Sequence, residues 1–114
     1  MEAIRTVYQT EEFKSFLDAL PKQIQDKFRY VLDIIINVYL LPVKFVKHLS
    51  GTDLYELRVS VGPNEYRTIL FAVDRPNIIE AKQVIFLNGF LKKSTKDYKK
   101  QIEIAQKILK RLEL

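Results

Sequence analysis

The chain has no cysteine and no tryptophan, a single histidine, and only three glycines and four prolines among its 114 residues. Without cysteine there is no disulfide framework, no thiolate zinc site and no cysteine nucleophile. The lone histidine, His48, leaves no partner for a two-histidine ribonuclease mechanism and little from which to build a metal site. Three scattered glycines do not make a Gly-rich phosphate loop. No apolar run reaches the length of a bilayer span. The most apolar stretch, residues 31–43, is interrupted by Asp33, Asn37 and Pro42, and it reads as a core helix ending in a loop. The opening residues, Met1-Glu2-Ala3-Ile4-Arg5, lack the apolar core of a signal peptide. These absences predict a cytoplasmic protein without a membrane partner. With no repeat, linker or low-complexity tract, residues 1–114 read as a single domain.

What the chain does have is a globular share of hydrophobic residues, 47%, and a net charge of +5. The positive charge is concentrated. Between Lys92 and Arg111 lie Lys92, Lys93, Lys96, Lys99, Lys100, Lys107, Lys110 and Arg111, opposed only by Asp97 and Glu103. Lys44 and Lys47 form a second basic spot. Such a field favours RNA, DNA, an acidic membrane or an acidic protein, or it is simply a solvated surface.

Periodicity predicts the elements. Residues 4–8 form a strand. Thr10 precedes Glu11 and Glu12 as a helix N-cap with first-turn acids. Phe13, Phe16, Leu17 and Leu20 follow at helical spacing. Pro21 opens a second helix with Ile24, Phe28, Val31, Leu32, Ile35 and Tyr39 on one face, ended by Pro42. Residues 41–53 read as a loop. Tyr55, Leu57, Val59 and Val61 then alternate with Glu56, Arg58 and Ser60, a half-buried strand. Residues 66–73, apolar at nearly every position after Arg67, read as a central strand, and residues 78–87 as a third, with Asn88-Gly89 breaking the pattern. Tyr98, Ile102, Ala105, Ile108, Leu109 and Leu112 mark a final helix. The order β-α-α-β-β-β-α defines an α+β fold, with a helical hairpin packed on an antiparallel meander.

The chemistry-bearing residues gather on the strands. Glu56 and Arg58 share one face of their strand, two positions apart. Arg67 follows the short turn Gly62-Pro63-Asn64-Glu65 and either lines the same surface or points with Ile69 and Phe71 toward the helices as a structural arginine. Lys92, Lys93 and Tyr98 come just past the third strand. This set lacks a conventional nucleophile–base pair. It suits RNA cleavage, where the 2′-hydroxyl is the nucleophile. The protein then supplies a base, cations for the charged phosphorane and an acid for the leaving oxygen. Glu56 is the candidate base and the arginines the phosphate grips. Tyr98, or a lysine lowered in pKa by neighbouring cations, is the candidate acid.

The segments Leu49-Ser50-Gly51-Thr52-Asp53-Leu54-Tyr55-Glu56-Leu57-Arg58, Tyr66-Arg67-Thr68-Ile69-Leu70-Phe71 and Phe86-Leu87-Asn88-Gly89-Phe90-Leu91-Lys92-Lys93 together resemble the RelE/ParE superfamily, and within it the phage-derived HigB-like branch. The resemblance implies the toxin of a type II toxin–antitoxin module, a metal-independent endoribonuclease without cofactor that cleaves messenger RNA on the ribosome. Its implied partner is an antitoxin with a helix-turn-helix DNA-binding domain, and no small-molecule substrate is implied. It places Arg67 on the family's phosphate-contacting strand arginine and Arg58 on a basic strand position. Glu56 falls where some relatives use a glutamate base, Lys92 and Lys93 near a cation after the strand, and Tyr98 near a tyrosine. Lys44, Lys47, Lys96, Lys99 and Lys100 are further candidates for RNA contact. The alternatives are a ParE-like gyrase inhibitor and a non-catalytic RNA- or antitoxin-binding module.

Overall fold

The structure, a computed structural model, describes residues 3–114; Met1 and Glu2 of the N-terminal stretch read above lie outside the described residues. The elements are β1 (Thr6–Gln9), α1 (Glu11–Asp18), α2 (Lys22–Asn37), β2 (Val46–His48), β3 (Leu54–Val61), β4 (Asn64–Ala72), β5 (Gln83–Leu91) and α3 (Thr95–Arg111). The expected α+β order is present, with one strand added. Five strands form a single sheet in the order β1-β5-β4-β3-β2. β3, β4 and β5 make the antiparallel meander, and β1 lies parallel to β5.

The sheet is covered on both faces. On one, Leu57, Val59, Tyr66, Leu70, Val84 and Phe86 meet Phe13 of α1 and Ile24, Phe28, Val31 and Ile35 of α2. On the other, Leu54, Ile69, Leu87 and Phe90 meet Ala105 and Ile108 of α3. This double burial explains why β4 is apolar at successive positions rather than alternating. Thr10 caps α1 by accepting from the amide of Phe13, and its hydroxyl donates to the carbonyl of Leu87, tying helix to sheet. The Gln25 side chain amide donates to the Leu17 and Leu20 carbonyls and so joins α1 to α2.

β1 spans Thr6–Gln9 rather than residues 4–8, and β4 spans Asn64–Ala72 rather than residues 66–73. Three larger differences separate the structure from the sequence expectation. α2 stops at Asn37, five residues before Pro42, and Tyr39 lies outside it, exposed. The cause is the N-terminal segment. The amides of Ile4 and Arg5 donate to the Ile36 carbonyl. The buried Arg5 guanidinium donates to the carbonyls of Ile35, Val38 and Tyr39, and also of Ile78 and Ile79. All five guanidinium donors are used, which satisfies a helix end that would otherwise continue or fray. The second difference is the loop of residues 41–53, which contains the three-residue strand β2, paired with residues 55–57 of β3. Third, the last strand starts at Gln83 rather than residue 78 and runs through Asn88-Gly89 to Leu91. Residues before Gln83 make their polar contacts elsewhere: Asp74 accepts from the amides of Lys82 and Gln83, and Arg5 takes two carbonyls. Gly89 continues the strand because Phe16 of α1 packs directly over it; an added Cβ would stand 2.3 Å from that ring.

Candidate functional site

β3 and β4 are joined by the two residues Gly62 and Pro63. Gly62 takes φ of 58°, the left-handed value that a first hairpin position of this kind demands. That turn sets the register. Val61 faces Asn64, Ser60 faces Glu65, Val59 faces Tyr66 and Arg58 faces Arg67. Two arginines therefore stand side by side on neighbouring strands, an arrangement that repels unless anions lie between them. Glu56, two residues before Arg58, is the first of these anions.

The Glu56 carboxylate is almost fully enclosed, at 5% exposure. One oxygen accepts from Arg58 Nε at 3.1 Å. The other lies 3.5 Å from Arg67 Nε without hydrogen-bond geometry, so both of those buried atoms lack a bonded partner. Arg67, 6% exposed, also donates through Nη1 to its neighbour Tyr66's carbonyl and to Glu65 Oε2 at 3.2 Å. Glu65 in turn accepts from the Ser60 hydroxyl. Those two donors, Ser60 first and Arg67 second, hold the Glu65 carboxyl below the usual carboxylate range, aided by the charge of Lys92.

Beyond this pair the sheet edge opens. β2 pairs with β3 only as far as Leu57, with one further bond from the Arg58 amide to the Phe45 carbonyl. Past that point a cleft of about 570 Å³ is lined by Lys27, Lys44, Phe45, Arg58, Ser60, Glu65 and Arg67. Four cations against one carboxylate make it an anion site in a water-accessible concavity. Arg67 resolves the choice left open by sequence, and both descriptions apply. It shares a face with Glu56 and Arg58, and equally with Ile69 and Phe71, because that face is the one α3 covers.

The sequence-derived candidates separate into groups. Arg58, Arg67 and Lys44 line the cleft, and Glu56 sits behind the arginines rather than among the lining residues. Lys47 lies directly across from Glu56 on β2, exposed. Lys92 belongs here too, for its amide donates to the Glu65 carbonyl. Lys93 lines a different depression with Phe90, Asp97 and Gln101. Tyr98 packs edge-on against Phe90, the residue across from Arg67, at 5.4 Å between ring centres. Lys96, Lys99 and Lys100 lie apart on α3, around a hollow shared with Asp97 and Glu103. Sequence reasoning missed Lys27, Phe45, Ser60 and Glu65. The last two were accessible by counting outward from the two-residue turn; Lys27 arrives from the other layer and leaves no such signal. Among the described residues no group of three or more His, Asp or Glu side chains is arranged to hold a metal ion, and no helix is long and apolar enough to cross a membrane.

The fold and site together define a small α+β domain with an arginine-centred anion cleft at the edge of its sheet. Residues 15–110 match the family described as phage derived protein Gp49-like (DUF891). The match takes in everything from the middle of α1 to the end of α3, and the chain belongs to this RelE/toxin-like family. No curated protein matches the chain.

Proposed function

We propose that the chain is the toxin of a type II toxin–antitoxin module, of HigB-like kind, acting as a metal-independent endoribonuclease on messenger RNA held by the ribosome. The observation that carries this reading is the pair of opposed arginines, Arg58 and Arg67, lining a cleft whose other cations are Lys27 and Lys44. Planar, permanently charged guanidiniums in a fixed pair suit a phosphodiester and, more strongly, the phosphorane that forms from it.

In this reading the ribose 2′-oxygen attacks the adjacent phosphorus and the P–O5′ bond breaks. The products are a 2′,3′-cyclic phosphate and a 5′-hydroxyl end. Glu65 lines the cleft and, with its lowered pKa, is in the proton-accepting form at neutral pH. It takes the 2′-proton. Glu56, enclosed between the guanidiniums, acts as a positioning residue that aims them. Lys92, whose amide donates to the Glu65 carbonyl, returns a proton to the leaving 5′-oxygen in this reading, with Tyr98 as the alternative donor. The cleft is shallow and holds few groups, so the ribosome supplies substrate positioning. The lysines of α3 suit ribosomal RNA, and the cellular setting is the cytoplasm. The antitoxin, carrying a helix-turn-helix DNA-binding domain, would restrain this activity.

The test is a purified translation reaction followed by primer extension on the message. Cleavage appears only with ribosomes present and falls about 10²-fold or more in Arg58→Gln, a 30% exposed position, with the variant's folding checked by its circular dichroism and melting curve. Intact message in the wild-type reaction overturns the reading. The burial of Glu56 favours one second reading, a non-catalytic RNA-binding module, which would bind RNA in that reaction without cutting it.

A further inference from the structure

Beside the arginine pair, the cleft wall carries aromatic rings interleaved with lysines. Phe45 lines the cleft, and Tyr30 of α2 meets it edge-on with ring centres 6.2 Å apart. Lys27 Nζ lies 5.0 Å from the Tyr30 ring centre, and Lys44 Nζ lies 5.0 Å from that of Phe45. Both lysines line the same cleft as Arg58 and Arg67. Tyr30 is not a core residue, being 54% exposed, yet its ring is held on one side by a cation and along its edge by Phe45. A large aromatic surface left in water and already fixed in place loses little entropy on binding. The proposed proton transfers do not require it.

We propose that Tyr30 and Phe45, with Lys27 and Lys44, form a nucleobase-stacking subsite for single-stranded RNA. In it, the base next to the arginine-bound phosphate stacks on the Tyr30 ring while the two lysines hold the flanking phosphates. The inference rests on the reading of the cleft as an RNA site and adds how the strand is gripped there. Charge and aromatic character together select this occupant. Alternating cations and rings fit a polyanion that carries flat apolar groups at regular intervals, which is what single-stranded nucleic acid is. Stacking tolerates any base, so the subsite confers strand orientation with little sequence preference.

The experiment measures binding of fluorescently labelled ten-nucleotide RNAs, 2′-O-methylated throughout to prevent cleavage, in two forms: fully based and abasic at the central positions. Wild type is expected to bind the based strand about tenfold more tightly than the abasic one at low salt. Tyr30→Leu removes that preference and leaves abasic binding unchanged, whereas Tyr30→Phe retains it. Arg58→Gln weakens both strands alike. Equal binding of the two RNAs by wild type, or a Tyr30→Leu effect of the same size on both, overturns the stacking subsite but leaves the phosphate site standing. Failure to bind either RNA overturns the stacking subsite, while the ribosome-dependent cleavage test decides the proposed function separately. Tyr30-dependent binding of poly-L-glutamate in place of RNA assigns the surface to an acidic protein partner and likewise overturns the inference.

Discussion

Replacing Glu56 by glutamine removes the negative charge between two guanidiniums and keeps the side chain's shape. The carboxylate and Arg67 are both about 95% enclosed, so water cannot replace the lost charge. Breaking a buried ion pair from one side costs about 3–5 kcal/mol, because the remaining charge stays buried and unmatched. Here the amide can still accept from Arg58, and Arg67 keeps Glu65, so the lower end, about 3 kcal/mol, applies. For 114 residues the unfolding entropy is about 0.24 kcal/mol/K, which converts that loss to a fall in Tm of about 12 °C. Calorimetry of wild type and Glu56→Gln measures it. A second substitution, Arg67→Met, removes the stranded cation, and Glu56→Gln/Arg67→Met is expected to regain at least half of the lost stability. A Tm within about 2 °C of wild type for Glu56→Gln alone, or strictly additive losses in the double variant, refutes the buried-pair argument. The same variant tests the division of roles in the site. A positioning residue is expected to lower cleavage about tenfold, while loss of the base, tested by Glu65→Gln, lowers it about 10²- to 10⁴-fold. A larger loss in Glu56→Gln than in Glu65→Gln would return the base role to Glu56.

Other substitutions probe the scaffold. Arg5→Met strands five carbonyls at the end of α2 and in the segment before β5, and is expected to lower Tm by about 17 °C, from a loss of about 4 kcal/mol; Arg5→Lys, with three donors, falls in between. Gly89→Ala drives a methyl into the Phe16 ring and is expected to cost about 1–3 kcal/mol in urea unfolding, with relief when Phe16→Ala is added. Glu12 is held below the usual carboxylate range chiefly by its hydrogen bond from Arg111, which joins the start of α1 to the end of α3. A depressed carboxylate stabilises the fold above its unfolded pKa of about 4.3 and loses that contribution as pH falls through its folded value. Glu12→Gln is therefore expected to melt slightly below wild type at pH 7, and the gap to close as pH falls through the lowered folded-state value; a gap that persists in strong acid means the variant acts through packing.

Much of this was legible in the chain. The helical spacing of Phe13, Phe16, Ile24, Phe28 and Val31 gave α1 and α2, and the unbroken apolar run of β4 marked a strand covered on both faces. What escaped was decided by contacts distant in sequence. α2 ends where Arg5, thirty residues away from Ile35, donates to its carbonyls in a fan of hydrogen bonds. The last strand waits for Gln83 because Asp74 and Arg5 hold the backbone before it. β2 is only three residues long, too short to show a period. Within the site, the two-residue repeat put Glu56 and Arg58 on one face, while Arg67 was brought near them by the turn with its orientation left open. Reading Gly62–Glu65 as a four-residue turn left the register open, and with it the Ser60–Glu65 pair. The lysines of α3 had drawn attention by number alone, yet they sit away from the cleft.

The opposed arginines also give Glu65 a meaning that sequence could not. Arg58 and Arg67 need counterions in the free protein, and only one of the two carboxylates beside them is enclosed. Glu65 is 47% exposed and reaches Arg67 from the solvent side, where an entering phosphate would also approach. A phosphodiester bound to the guanidiniums competes with Glu65 for Arg67 Nη1, and the Ser60 hydroxyl keeps the displaced carboxylate in the cleft. If Arg67 withdraws, its hydrogen bond and charge no longer help to lower the Glu65 pKa, and the carboxylate would become a better proton acceptor as substrate arrives. If the cleft cleaves RNA as proposed, the free protein carries a masked base that RNA binding unmasks. On this argument Ser60→Ala, which frees the carboxylate to leave the cleft, lowers cleavage of bound message more than it lowers RNA affinity.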